Sequence, residues 1–123
     1  MTLLYVALGG LLGTIARWFL SGAIPPGEGS FPRGTLAVNL LGSLALGFVM
    51  RYGTESLQWT PAVRAGLTIG FCGAFTTMST FAYEAVQLGA AGQWLRTGSY
   101  LMLTVAGCYL AIIAGSALAG RLL

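Results

Sequence analysis

Three ionisable residue types are missing from this sequence, which contains no histidine, no aspartate and no lysine, and its only acids are Glu28, Glu55 and Glu84. Acid and base catalysis and most metal sites depend on those side chains. None of the three glutamates is accompanied by a nucleophile and an orienting base, so neither a catalytic pair nor a zinc site is indicated. We therefore expect that the protein is not an enzyme.

Charge of either sign is scarce, because only 7% of the residues are charged while 56% are hydrophobic. A soluble domain carries about 25% charged residues. The mean hydropathy of the 123 residues is +0.81. A soluble protein of this composition would expose large apolar patches and aggregate. The sequence therefore predicts that most of the chain is surrounded by lipid.

Nucleic acid is not an expected partner, because the basic residues are spread along the chain and form no basic face. All of them are arginines: Arg17, Arg33, Arg51, Arg64, Arg96 and Arg121. The two cysteines, Cys72 and Cys108, both lie in apolar stretches, which favours roles as small hydrophobic side chains over a disulfide or a metal pair.

The apolar stretches predict one transmembrane domain, residues 1–123, with four membrane-spanning helices. A span takes roughly 20 residues, so a fifth would leave too little chain for loops. Pro25 and Pro26 end the first stretch, and Thr60 followed by Pro61 is a plausible start for the third helix. The spans are expected at about residues 3–24, 35–52, 61–88 and 96–118.

The arginines near the ends of these spans are almost evenly divided between the two membrane sides. Four spans place Arg51, Arg64 and Arg121 on one side, and Arg33 and Arg96 on the other. An excess of basic residues in cytoplasmic loops sets the insertion orientation. A chain without that excess is expected to insert both ways, which permits an antiparallel, dual-topology homodimer.

The third stretch is longer than one span needs, and hydroxyl residues crowd its middle. Thr76, Thr77, Ser79 and Thr80 follow closely on Gly73. One interpretation is a kinked packing helix whose hydroxyls bond back to carbonyls one turn earlier. The other is a helix broken in mid-membrane, whose freed carbonyls could bind Na⁺.

Other polar residues lie inside the predicted spans and need partners there. Asn39 carries an amide whose burial without a partner is costly, and it can either bridge helices or serve a pore. Tyr100, Thr104 and Cys108 recur every four residues, so their polar tips share one face of the fourth span. Such a track of donors suits an anion that exchanges its water hydrogen bonds in sequence.

Three further residues have both an ordinary and a functional interpretation. Arg17 can extend toward lipid headgroups or line a wet vestibule that attracts anions. Glu84 is the only acid within a span and has no identified partner. Phe81 is an ordinary apolar residue, although the positive edge of its ring could contact an anion.

Three motifs follow one another along the chain: residues 9–13 (GGLLG) with Arg17 and Trp18, residues 34–42 (GTLAVNLLG) and residues 70–81 (GFCGAFTTMSTF). In this order and at these spacings, they resemble the Fluc or CrcB family of fluoride channels. The resemblance extends over essentially the whole chain, and three motifs together are highly specific.

The resemblance implies a channel that lets cytoplasmic fluoride leave passively and excludes chloride. It also implies an antiparallel, dual-topology homodimer of four-helix subunits with two pores, in which the third helix of each subunit is broken. A structural Na⁺, which is not transported, would lie on the two-fold axis. Its ligands would be the backbone carbonyls of Gly73 and Thr76 from both subunits.

The same matching assigns roles to individual residues. Arg17 would belong to the vestibule, and Glu84 matches a family position without a stated role. The fluoride pathway would include Asn39, Phe81, Ser79, Thr80, Thr35, Tyr100, Thr104 and Met78. Two positions depart from the family pattern, because Met78 stands where phenylalanine is usual and Cys108 stands where serine is common.

Two alternatives to a fluoride channel stay open at this point. A small multidrug-resistance exporter is also a four-helix, dual-topology dimer, but it needs a membrane-embedded carboxylate, typically in the first helix. This chain has Arg17 there, and Glu84 lies in the third span. A non-conducting subunit of a larger complex would use the same small-residue faces. In each case we expect a multi-pass protein of the cell (inner or plasma) membrane.

Overall fold

The computed structural model describes the whole chain, Met1–Leu123, as helices joined by short connections. A π-helical segment, Gly66–Cys72, interrupts the α-helices, and a short 3-10 turn, Glu28–Ser30, follows the first of them. The α-helices are α1 Thr2–Ala23, α2 Arg33–Glu55, α3 Pro61–Ala65, α4 Gly73–Phe75, α5 Met78–Ala90 and α6 Trp94–Gly120.

Four helical stretches are long and apolar enough to cross a membrane. Helices α1, α2 and α6 each form one of them, and the third span, Pro61–Ala90, combines α3, the π segment, α4 and α5. This confirms the predicted all-helical fold with four membrane spans. The predicted start of the third helix also holds, because the Thr60 side chain accepts a hydrogen bond from the Val63 amide at 3.3 Å.

The outer surface of the bundle is largely apolar, and only 20 of the 123 residues are buried within the single chain. Helix α1 is the extreme case, since Gly13 is its only buried residue. Large apolar side chains such as Leu12, Phe19 and Ile113 point outward. Exposure of this kind is unfavourable in water but suits contact with lipid chains.

Glycines let the helices approach closely in two pairs. A Cβ atom added to Gly47 of α2 or to Gly115 of α6 would overlap a backbone carbonyl of the facing helix. The same holds for Gly9 and Gly13 of α1, which face the π segment. Small residues provide this close contact inside membranes, where the hydrophobic effect does not drive helices together. Close contacts of α1 with the third span and of α2 with α6 therefore hold the bundle together.

The π segment widens the third span immediately before its hydroxyl cluster. The Gly73 amide donates to the carbonyl of Thr68, five residues earlier. Gly66 and Gly70 allow this wide turn to lie directly against α1. Such π turns occur frequently at functional sites, but no feature of the sequence predicted this one.

Arginines at the ends of the spans close exposed helix termini. Arg51 donates to the Ser116 carbonyl near the end of α6 at 3.2 Å, and also pairs with Glu55 at 3.1 Å. Arg64 donates to the Gly53 carbonyl near the end of α2 at 3.4 Å. The last carbonyls of a helix lack donors, and the helix dipole favours a cation there.

The loop between α1 and α2, residues 24–32, folds back against the start of α6. Gly29 and Ser30 both have left-handed backbone conformations, with φ of 62° and 63°. An added Cβ on Gly29 would meet the side chains of Gln93 and Arg96. This turn places the ring of Phe31 beside α6.

Candidate functional site

The centre of the site is a two-residue interruption of the third span. Helix α4 ends at Phe75, Thr76 and Thr77 have extended backbones (φ −86°, ψ 162° and φ −149°, ψ 122°), and α5 begins at Met78. The Thr77 side chain then accepts a hydrogen bond from the Thr80 amide at 3.2 Å and caps α5.

This interruption removes the helical donors of four successive backbone carbonyls, those of residues 73–76. In a continuous helix the Gly73 carbonyl would accept from the Thr77 amide, and the Thr76 carbonyl from the Thr80 amide. Here the Thr77 amide donates to the Asn39 side chain at 2.8 Å, and the Thr80 amide to the Thr77 hydroxyl. The carbonyls of Gly73 and Thr76 therefore lack their helical donors, and they are the two carbonyls expected to bind Na⁺.

Asn39 of α2 makes two hydrogen bonds to the interruption. Its side-chain oxygen accepts from the Thr77 amide at 2.8 Å, and its side-chain nitrogen donates to the Thr77 carbonyl at 3.0 Å. The residue is only 6% exposed, and each of these atoms would be costly to bury alone. One N–H of the amide has no protein acceptor and stays free for another partner.

Arg17 reaches the same interruption from α1. Its guanidinium donates to the Thr76 carbonyl at 3.0 Å and so replaces the donor that the helix lost. Arg17 also lines a small cavity of about 200 Å³, together with the hydroxyl residues Thr14, Ser21 and Thr80. Arg17, which the sequence predicts to belong to a vestibule, thus lines a cavity and contacts the interruption.

A cation at this site would depend on backbone oxygens, because no three His, Cys, Asp or Glu side chains come together. The Gly73 carbonyl has no helical donor. The Thr76 carbonyl is shared with Arg17, but a carbonyl oxygen has two lone pairs and can accept a second partner. Both groups are therefore compatible with Na⁺, for which freed carbonyls in discontinuous helices are suitable ligands.

Glu84 has a partner that the sequence did not reveal. The Thr35 hydroxyl of α2 donates to a carboxyl oxygen of Glu84 in α5 at 2.5 Å. Thr35 is 8% exposed, so the pair lies between the helices. The only acid within a span is therefore tied to the residue one turn before Asn39.

A cavity of about 390 Å³ lies along the inner face of the interruption. It is bordered by residues of the interruption and of α6. Its polar and pathway residues include Asn39, Gly73, Thr76, Thr77, Met78, Phe81, Thr104 and Cys108. Met78 is 73% exposed in the single chain.

The α6 face contains hydroxyls that are buried without a hydrogen-bond partner. They belong to Tyr100, which is fully buried, and to Thr104, which is 5% exposed. The Tyr100 ring is held edge-to-face between Phe81, at 5.0 Å between centroids, and Phe31, at 5.5 Å. These two residues lie one helical turn apart, and the Tyr100 hydroxyl is also close to Thr35 and Glu84.

Comparison with known proteins shows the family to which the chain belongs. Residues 4–116 match the family described as CrcB-like protein, Camphor Resistance (CrcB). The chain belongs to the CrcB family. It is 44% identical over 117 residues to a protein of Hahella chejuensis named fluoride-specific ion channel FluC, with 94% of this chain and 92% of the relative covered.

Two other relatives have the same name, fluoride-specific ion channel FluC. One from Methanopyrus kandleri is 46% identical over 114 residues, covering 93% of this chain and 86% of the relative. One from Geotalea uraniireducens is 40% identical over 122 residues, covering 95% and 98%. These relatives are named as ion channels and not as enzymes, and with the four spans they make this CrcB chain a multi-pass membrane protein.

The structure gathers most of the predicted site residues into two groups. Gly73, Thr76, Asn39 and Arg17 surround the interruption. Thr35 and Glu84 form the bonded pair, and Phe81, Tyr100 and Thr104 form the α6 side. Thr80 lines the small cavity near Arg17. Ser79 is exposed at the start of α5 and makes no side-chain hydrogen bond within the chain.

Sequence reasoning missed two residues of this CrcB site. Phe31 contacts Tyr100 although 69 positions separate them, and no motif of the loop indicated that contact. Cys72 lines the same cavity as Cys108, and its carbonyl accepts the Thr76 hydroxyl at 3.0 Å. That bond is the back-bonding to a carbonyl one turn earlier that one interpretation of the sequence expects of a membrane threonine.

Proposed function

We propose that this protein is a channel through which fluoride leaves the cytoplasm passively while chloride is excluded, which lowers the toxicity of the ion. Membership of the CrcB family and the names of the relatives support this function. The single structural observation that carries it is the pair of buried, unpartnered hydroxyls of Tyr100 and Thr104. A small anion that has lost its water needs such donors.

The pathway begins at the interruption and continues along α6. Two oppositely oriented chains place one Arg17 on each membrane side, where it attracts anions into the vestibule. The free N–H of Asn39 with the hydroxyls of Ser79 and Thr80 provides the first donors. The ion then passes the edge of the Phe81 ring and reaches Thr104 and Tyr100. Thr35 and Glu84 adjoin this route, and Met78 borders the cavity at its open side. Along this route, each donor replaces the hydrogen bond that the fluoride ion made with the preceding donor.

We propose further that two oppositely oriented chains form an antiparallel, dual-topology homodimer with two pores. The balanced arginines support both orientations. The single chain leaves Met78 and the mouth of the large cavity open, which a partner could cover. In this assembly the third helices, broken at Thr76 and Thr77, would face each other across the axis.

A structural Na⁺ that is not transported would hold the two interruptions together. Its ligands would be the Gly73 and Thr76 carbonyls of both chains, which lack their helical donors. The cation would neutralise the negative ends of four carbonyl dipoles in a region of low dielectric. We place the assembly in the cell membrane, which is the plasma membrane or, in a two-membrane cell, the inner one.

A proton-coupled exporter is not favoured by these observations. Proton coupling in such an exporter would need a carboxylate in the first span. That span carries Arg17 instead, and the Arg17 guanidinium donates a hydrogen bond to the Thr76 carbonyl. Glu84, the only acid in a span, already accepts a hydrogen bond from Thr35. The relatives over almost the full chain are named as fluoride channels.

The test uses purified protein in liposomes loaded with fluoride or with chloride. Efflux is followed with ion-selective electrodes after the membrane potential has been shunted. We expect rapid release of fluoride and retention of chloride. Retention of both ions by a folded dimer, or equal release of both, would contradict the proposal.

A matched pair of variants tests the hydroxyl track itself. Tyr100→Phe removes the buried hydroxyl, and Tyr109→Phe removes a hydroxyl from a ring of the same helix that is 68% exposed. We expect Tyr100→Phe to slow fluoride efflux about 10-fold or more, because one unpaired donor is worth at least about 1.4 kcal/mol to a dehydrated anion. Tyr109→Phe should match the wild type.

A further inference from the structure

Both cysteines of the chain line one cavity, although they belong to different spans. Cys72 lies in the π segment and Cys108 in α6, and both border the cavity of about 390 Å³ beside the interruption. Met78, the first residue of α5, borders it as well. The sequence predicts only small apolar roles for the cysteines, because it does not show which spans lie side by side. The structure brings both thiols and one thioether of the chain to a single space.

The three sulfur-containing side chains extend from the surface of the single chain into its interior. Met78 is 73% exposed, Cys108 is half-buried, and Cys72 is 2% exposed. Neither thiol is engaged in a disulfide. A small ion that enters beside Met78 therefore finds free sulfur ligands deeper in the cavity.

The side chains of this cavity form a soft donor set. Thiolate and thioether sulfur select Cu⁺, Zn²⁺ and iron–sulfur clusters among biological metals, whereas carboxylates and water suit hard ions. A structural Zn²⁺ or a cluster is almost always held by four Cys or His side chains, but this cavity offers two cysteines, no histidine and no carboxylate. A soft monovalent cation binds with fewer ligands and accepts a thioether, so it fits this donor set.

A second feature of the cavity, independent of its sulfur atoms, indicates an occupant. Thr104 lines the cavity one turn before Cys108 on α6, and its hydroxyl is buried without a hydrogen-bond partner. A buried polar atom of this kind costs free energy unless something binds to it. Since a hydroxyl oxygen has two lone pairs, it can turn one of them toward a cation beside Cys108.

We propose that this cavity binds a soft monovalent cation of the Cu⁺ class through the sulfur atoms of Cys72, Met78 and Cys108. As the metal–sulfur bond forms, the less buried thiol, Cys108, releases its proton to water. Cys72 and Met78 donate lone pairs as neutral ligands, and the oxidation state of the metal does not change. One thiolate and one monovalent cation together are neutral, which avoids the cost of an isolated charge in an apolar interior.

The consequence for conduction rests on the proposed function. Asn39 and Phe81, which are assigned to the fluoride path, line the same cavity as the sulfur atoms. Conduction requires that each ion on the path binds weakly enough to leave. A cation held by sulfur leaves slowly, so it should stop fluoride efflux until a competing thiol removes it.

The binding test uses Ag⁺, which shares the preference of Cu⁺ for sulfur and is not oxidised in air. Purified protein is equilibrated with silver nitrate in chloride-free buffer, and the silver retained after gel filtration is measured by elemental mass spectrometry. We expect one Ag⁺ per chain in the wild type and loss of this silver in Cys108→Ser and Cys72→Ala. Met78→Leu should bind more weakly than the matched control Met102→Leu, because Met102 is similarly exposed but does not line the cavity.

The cysteine variants also separate the sulfur site from the Gly73 and Thr76 carbonyls, where Ag⁺ can take the place of Na⁺. Silver binding that survives both cysteine variants, or that excess Na⁺ abolishes, would overturn the sulfur site. Two Ag⁺ per chain, of which each cysteine variant removes one, would show two thiols that bind independently and would overturn it as well. Equal affinities of Met78→Leu and Met102→Leu would remove Met78 from the proposed ligands and contradict the site as stated.

The second readout is fluoride efflux from liposomes, in which each variant is compared with its own rate without silver. Silver nitrate should slow the wild type and Met102→Leu at least about 10-fold, because a slowly leaving ion obstructs the path. Excess dithiothreitol should restore both rates. The rate of Cys108→Ser should not respond to silver. Wild-type protein that retains silver and conducts at its full rate would overturn the block.

The two readouts distinguish failure of this inference from failure of the function on which the block rests. A wild-type protein that retains one Ag⁺ per chain but releases no fluoride without silver supports the site and overturns the proposed function. A channel that releases fluoride selectively, retains no silver and is not slowed by it overturns the site alone. Should Cys72→Ala fail to fold, Cys72→Val keeps an apolar side chain of similar size and is held to the same expectation.

Discussion

The two polar regions inside this protein differ in how completely their hydrogen bonds are made. At the interruption of the third span, both backbone groups of Thr77 pair with Asn39, and the Thr76 carbonyl accepts from Arg17. On α6, the hydroxyls of Tyr100 and Thr104 are equally buried and have no partner. Apart from the freed helix carbonyls and one N–H of Asn39, the polar groups of the first region are paired within the chain, whereas the two hydroxyls of the second region have no hydrogen-bond partner.

This difference separates a structural role from a binding role. A satisfied polar group in an apolar environment stabilises the fold, and an unsatisfied one costs free energy unless something else binds to it. We therefore expect substitutions at the interruption to act mainly on folding. Substitutions on α6 should act mainly on fluoride efflux, with little effect on stability.

The largest loss of stability is expected for Asn39→Ala. The substitution leaves the amide and the carbonyl of Thr77 without partners, which costs about 2 to 4 kcal/mol in the free energy of unfolding. Equilibrium unfolding in mixed micelles measures this change in the free energy of unfolding. Gln87→Ala is the control, because Gln87 is exposed on α5 and its side chain makes no hydrogen bond. Equal stability of the two variants would show that the Asn39 contacts are not important for folding.

Arg17→Met should destabilise less than Asn39→Ala, because only the Thr76 carbonyl loses its donor. A hydrogen bond from a charged group contributes about 1.5 to 3 kcal/mol. The control is Arg121→Met, which removes an exposed arginine at the end of α6. If Arg17 acted only as a distant anion attractor, Arg17→Met would change efflux and leave the free energy of unfolding equal to that of the control.

The bond between Thr35 and Glu84 should contribute about 1 kcal/mol. A double-mutant cycle with Thr35→Val and Glu84→Ala isolates that contribution from the other effects of each change. Thr14→Val serves as the control, since Thr14 makes no side-chain hydrogen bond and should not couple to Glu84. Additive effects of Thr35→Val and Glu84→Ala would show that the contact carries no energy.

The fold was predictable to the extent that one-dimensional patterns determine it. Apolar stretches of sufficient length predict the four spans, and the four-residue spacing of Tyr100 and Thr104 predicts their common face. The hydroxyl cluster marks the segment in which Thr76 and Thr77 become extended. These features depend on near neighbours in sequence, so the sequence displays them directly.

The contacts that complete the site could not be predicted in this way. Arg17 and Thr76 are 59 positions apart, and Asn39 and Thr77 are 38 apart, so each bond depends on how the helices pack. The π segment likewise depends on the close approach of α1 at Gly66 and Gly70. A polar residue in a span indicates that a partner exists, but not which one.

The smallest effect on stability is expected for Thr104→Val, and it is the most informative. The change replaces an unpartnered buried hydroxyl with a methyl group of similar size, so the free energy of unfolding should stay within about 0.5 kcal/mol or increase. Fluoride efflux should nevertheless fall, because the anion loses a donor next to Tyr100. Thr68→Val is the contrasting variant, because it removes a hydroxyl that does have a partner. The Thr68 hydroxyl donates to the Arg64 carbonyl at 2.9 Å. Lower stability of Thr104→Val with unchanged efflux would mean that its hydroxyl is structural after all, and the division between the two polar regions would fail.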